Sequence, residues 1–148
     1  QQLESKGIEY TQIRTQPMPG SNFLWMGLAK GQEGYWLGYH SLFDRHPATF
    51  NFIPANHTLI EAYRGIRNLE RLIEFTKGYY TIENRDTSMI LHDLRFGRLE
   101  LTGGPGYIFS FSVKSKNGKL IIEQLEPGMD IKKEDFKLYL KKMFASKQ

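Results

Sequence analysis

The dipeptide Asn117-Gly118 stands between two alternating runs, Tyr107 to Lys116 and Lys119 to Glu126. Asn-Gly suits a two-residue turn whose central residues both take positive φ, so the stretch reads as a β-hairpin. A two-residue turn also sets the register. Val113 falls opposite Ile122, and a pair of branched side chains supports that alignment. Tyr107, Phe109, Phe111 and Val113 share one face of the first strand, while Ser110, Ser112 and Lys114 share the other. One side of this hairpin therefore faces a core.

Similar patterns recur upstream. Ile8 to Gln16 alternates and ends at Pro17-Met18-Pro19-Gly20, where prolines interrupt a ladder. Asn22 to Lys30 is apolar on both faces, as a central strand is, and Gly31 to Gly34 turns it into a third strand, Tyr35 to Leu42. Phe43 to Asn56, with Asp44, Pro47, Asn51 and Pro54, reads as a loop that packs through Phe50, Phe52 and Ile53. Tyr79 to Glu83 and Ser88 to Arg95 form two more strands around the turn-forming Asn84-Arg85-Asp86-Thr87, and Gly97 closes the second. The run Gly103-Gly104-Pro105-Gly106 is a link. No Lys-Ser/Thr pair follows it and a strand comes next, which excludes a phosphate-binding loop.

Helical spacing is found in two places. Leu59, Ala62, Ile66, Leu69 and Ile73 recur behind Thr58-x-x-Glu61, a capping-box pattern, and Gly78 closes the segment. Gly65 weakens its middle and marks a break, with Asn68 as a new cap. Asp130 caps a last helix with the apolar stripe Phe136, Tyr139, Leu140 and Met143, surrounded by lysines. The expected fold is α+β: one antiparallel or mixed sheet of about seven strands with two main helices packed on it, in a single domain of residues 1–148.

The 148 residues can bury a core without staples, and the absence of cysteine removes disulfides, thiolate catalysis and cysteine zinc sites together. The apolar runs are far shorter than the ~20 residues a membrane-crossing helix needs. The opening Gln1-Gln2-Leu3-Glu4 lacks an initiator Met, which suggests a fragment of something longer. Charge is uneven: residues 1–113 carry 11 Lys/Arg and 11 Asp/Glu, whereas residues 114–148 carry 9 Lys and 5 acids. A solvated face is the ordinary reading of such a tail, and an anionic membrane surface is the functional one. Without an Arg-rich stripe or a recognisable module, nucleic acid is not an expected partner.

Candidate chemistry is sparse. His40, Asp44 and His46 are close in sequence and carry suitable donors for a divalent metal, but their spacing matches no zinc motif. No metal or cofactor site is therefore assigned in the chain. His92 and Asp93 are adjacent on a strand, so they point to opposite faces and form no local acid–base dyad. Asp93 and Arg95 share a face inside an apolar run, where two charges need each other, which favours a structural clamp over an active-site pair. The weak catalytic candidates are thus His40, Asp44, His92, Asp93 and Arg95.

Several segments carry a resemblance when taken in order: Pro17-Met-Pro19, Phe23-Leu-Trp25, Gly34-Tyr-x-x-Gly-Tyr39 leading to Ser41-Leu-Phe-Asp44, Phe75-x-Lys-Gly-Tyr-Tyr80, and Asp93-Leu-Arg-Phe-Gly97. Together they resemble the C-terminal soluble part of bacterial membrane-bound proteins classed as metal-dependent hydrolases. The resemblance covers most of residues 10–97. It implies an N-terminal membrane region that holds the divalent metal and is missing from this chain, so no catalytic residue of that family maps onto a numbered position here. The implied role is a soluble accessory domain, associated with the membrane in the full-length protein, with that missing region as its partner. Two alternatives stand beside it. One is an autonomous module binding a ligand, peptide or lipid headgroup through the aromatic hairpins; the other is a self-contained hydrolase using His40, Asp44, His92 and Asp93.

Overall fold

Every strand pairs with a neighbour in sequence. The computed structural model describes residues 2–17, 23–98 and 106–125, and within them eight strands form two sheets. The first is the antiparallel series β1 (Gln12–Pro17), β2 (Leu24–Lys30), β3 (Gly34–Ser41) and β4 (Thr49–Pro54). The second is the antiparallel series β5 (Tyr80–Arg85), β6 (Ser88–Arg98), β7 (Tyr107–Lys116) and β8 (Lys119–Leu125). This overturns the expected single sheet of about seven strands.

The physical reason lies in the stretch read as a loop. Thr49, Phe50, Phe52 and Ile53 are strand formers around Asn51 and pair the stretch with β3, and Pro54 occupies its last position, on an edge strand where a missing N–H is tolerated. Pro17 ends β1 on the opposite edge. Both edges of the first sheet thus finish in a residue that cannot donate to another ladder. The chain separates into two compact units, divided in sequence between Pro54 and Ala55.

In the first unit a four-residue helix, α1 (Gln2–Ser5), precedes β1, which starts later than the expected Ile8. Side chains on one face of the sheet, among them Met26, Leu28, Tyr35, Leu37 and Ile53, are buried. The other face pairs Gly27 with Gly38 and bears Ile13, Trp25 and Phe52, all substantially exposed. Phe50 lies over this glycine pair: a Cβ at Gly38 would stand 2.8 Å from its ring.

In the second unit the anticipated helix from Thr58 to Gly78 is replaced by two shorter pieces. His57–Tyr63 is a 3₁₀ helix whose preceding residue, Asn56, has φ 55° and makes no side-chain cap; the Thr58 capping box does not form. Gly65, at φ 95°, breaks the path, and α2 runs from Arg67 to Phe75. Asn68 does not recap the helix. Its amide nitrogen donates to the Leu120 carbonyl at 2.7 Å and ties α2 to β8. Leu69 and Leu72 of α2 pack with Ile60, Ile82, Leu91 and Val113 in the core of this unit. Among the described residues α2 is thus the only α-helix longer than one turn, where two main helices were expected. None of the described helices is long and apolar enough to cross a membrane.

Glu70 organises the start of α2. It accepts from Arg64 Nε at 2.6 Å, Arg64 Nη2 at 3.1 Å and the Gly65 amide at 2.9 Å. Arg64, and then the Gly65 amide, hold the Glu70 carboxyl down at about 2. A depressed carboxylate stabilises the fold fully above its unfolded pKa and loses that contribution as pH falls through its folded value. Glu70→Gln should therefore flatten the acid limb of the melting temperature between about pH 4.5 and pH 2. Equal slopes for the two proteins in acid melts would remove Glu70 from that limb.

The hairpin at Asn117-Gly118 forms with φ 51° and 77°, and Val113 stands opposite Ile122 as the turn requires. Gly97 does not end β6. The strand continues to Arg98 with Gly97 at φ 80°, and the pairing to β7 shifts between Asp93 and Arg98, a bulge. Ser110 and Ser112 are buried as well as Val113, so both faces of β7 are covered. The expected Asp130 helix, its lysine-rich surface and residues 103–105 of the glycine link lie outside the described residues.

Candidate functional site

The register of the second sheet lines up a row of polar residues on one face. Thr81 pairs with His92, and His92 with Ser110, so three neighbouring strands each contribute a polar side chain in one row. Glu83, two residues beyond Thr81, points to the same face. His92 is 2% exposed and holds a partner on each ring nitrogen: Nδ1 lies 2.7 Å from Ser110 Oγ, and Nε2 lies 2.7 Å from Glu83 Oε2. A carboxylate only accepts, so Nε2 carries the proton in that contact. Tyr107 stacks on the imidazole with ring centres 4.2 Å apart. Arg85 completes the line, donating to Glu83 at 2.8 and 3.2 Å. Arg85 chiefly, with His92 adding, keeps the Glu83 carboxyl below the ordinary carboxylate range.

The order Glu83–His92–Ser110 has the connectivity of an acid–base–nucleophile relay. Its surroundings give it a different role. Ser110 sits within β7 with β6 on one side and β8 on the other, so the neighbouring backbone amides serve the ladder and supply no oxyanion hole. The row instead gives the buried His92 and Ser110 their partners, as burial demands, and reaches the exposed Glu83 at its outer end.

Asp93 and Arg95 lie on the opposite side of β6 from His92. Asp93 is fully buried, and it accepts from the Arg95 backbone amide at 3.0 Å, from Nε at 3.1 Å and from Nη2 at 2.8 Å. The guanidinium lies 4.9 Å from the Phe75 ring centre and 5.1 Å from that of Phe96. It is thus both paired and stacked.

His40 and Asp44 belong to the first unit. Asp44 turns back on its own loop, where Oδ2 accepts from the Ser41 amide at 3.1 Å. His40 pairs across the ladder with Trp25 and lines a shallow cleft of about 260 Å³ with Trp25, Gly27, Gly38 and Phe50. Among the described residues no three His, Cys, Asp or Glu side chains come close enough to hold a metal ion together.

No protein-family model, curated protein or solved structure matches this chain. The side chains themselves therefore carry the functional argument. Of the candidates read from sequence, the fold joins Asp93 to Arg95 and places His92 on the reverse face of β6. Glu83, Ser110 and Tyr107 were missed. The turn at residues 84–87 was a signal that could have placed Glu83 near His92. Ser110 was out of reach because the bulge before Arg98 resets the count between β6 and β7.

Proposed function

We propose that these 148 residues form an accessory domain of a membrane-bound metal-dependent hydrolase, acting by binding while residues outside it carry the metal chemistry. One observation carries the reading: three of the chemically capable side chains, Asp93, His92 and Asp44, are committed to internal partners. Asp93 is closed on Arg95, His92 lies between Glu83 and Ser110, and Asp44 caps its own turn. Groups held in this way are poised for stability more than for taking a substrate. The cleft beside His40 and Trp25 offers a concave surface for a ligand or a neighbouring segment. The ordered set of segments from Pro17 to Gly97 supports the family, and the lysine-rich residues beyond 114 suit an anionic membrane surface.

Calorimetric titration with Zn²⁺ and with Mn²⁺ tests this reading. The expected result is no stoichiometric binding to the chain. Saturable binding that disappears in His40→Ala would overturn it in favour of a self-contained hydrolase using His40, Asp44, His92 and Asp93.

A further inference from the structure

We propose that the Leu42–Phe43 turn of the first unit is an insertion tip that docks this domain on a lipid bilayer through apolar contact. Leu42 is 61% and Phe43 74% exposed, the two most exposed large apolar side chains among the described residues. They are adjacent, and the turn that carries them is fixed. Its backbone is closed by Phe43 N to Ser41 Oγ at 3.2 Å, Asp44 N to Ser41 O at 3.0 Å and Ser41 N to Asp44 Oδ2 at 3.1 Å. Leu42 N also donates to Phe23 O at 2.8 Å, and the Phe43 ring rests on Phe23 with centres 5.0 Å apart. The structure thus holds two apolar side chains out in water, an unfavourable arrangement unless something covers them.

The occupant is argued from the shape and the rim. A two-residue tip offers a protein partner little area, well below that of a specific interface, whereas acyl chains mould themselves around a small protrusion. Behind the tip, at the same end of the sheet, Trp25 pairs with His40 and is 39% exposed. Arg45 and His46 follow directly and are exposed. Indole rings and cationic side chains are the groups that settle at headgroup level. The acid in the turn, Asp44, offsets Arg45, so apolar insertion and not charge should dominate. This separates the tip from the lysine-rich residues beyond 114, whose attraction would be salt-sensitive. The inference stands on the turn itself and is independent of the accessory-domain reading, which the metal titration tests.

The absence of cysteine permits single-site labelling. Phe43→Cys carrying an environment-sensitive dye should shift to the blue on phosphatidylcholine vesicles, with little change when salt rises from about 0.1 to 0.5 M. The same dye at Glu33→Cys, in the β2–β3 turn at the far end of the sheet, should stay in water. In sedimentation with the same vesicles, Leu42→Ser/Phe43→Ser should lower the partition coefficient at least roughly tenfold, the scale set by burying one such side chain. Both side chains lie mostly in water, so the double variant keeps the fold. A silent dye at position 43 overturns the proposal, as does an equal shift at both positions. A shift that grows with protein concentration in the absence of lipid overturns it too, and assigns the tip to a second copy of the chain.

Discussion

Asp93→Ala should lower the stability of the second unit by about 3 kcal/mol, because it takes the carboxylate counter-charge from a largely covered Arg95 guanidinium. The carboxylate it removes is fully buried and takes three donors from one residue. Urea unfolding followed by circular dichroism reads the effect as a lower midpoint with an unchanged slope. The paired replacement Asp93→Leu/Arg95→Met should cost less than Asp93→Ala alone, since removing both charges leaves neither one stranded. A single variant within about 1 kcal/mol of the parent would show that the pair is not what holds β6 in place.

Gly34→Ala should be almost as damaging, for a steric reason. A Cβ there would overlap the Ile53 carbonyl oxygen and stand 2.8 Å from Phe52 Cζ. The first obstacle is backbone, so the added methyl can be admitted only by opening the β3–β4 ladder, and about 2–3 kcal/mol is the expected loss. Gly31→Ala is the matched control. Its nearest obstacle is the Glu9 carbonyl at 3.4 Å, an ordinary contact. It should change the melting temperature little, and a similar loss at both sites would argue against the clash.

How much of this was legible beforehand varies with the range of the information involved. Asn117-Gly118 determines its own turn, so the Val113–Ile122 register followed from residues within ten positions of each other. Strand alternation likewise placed Asp93 and Arg95 together and His92 behind them. β4 was hidden because Asp44, Pro47, Asn51 and Pro54 carry turn chemistry, while its pairing with β3 depends on tertiary context. The Thr58 capping box was a local signal that lost to a 3₁₀ path with a break at Gly65. The Glu83–His92–Ser110 row needs the register of two successive ladders, one of them bulged, and no single stretch of sequence holds that information.

The strand order also has a kinetic meaning. Each ladder joins strands that are adjacent in the chain, β1 to β2 to β3 to β4 and then β5 to β6 to β7 to β8. Each pairing therefore closes a short segment and carries a correspondingly small entropic cost. A β-rich chain with this arrangement has low contact order, so its sheets can grow outward from their turns without waiting for distant segments to meet.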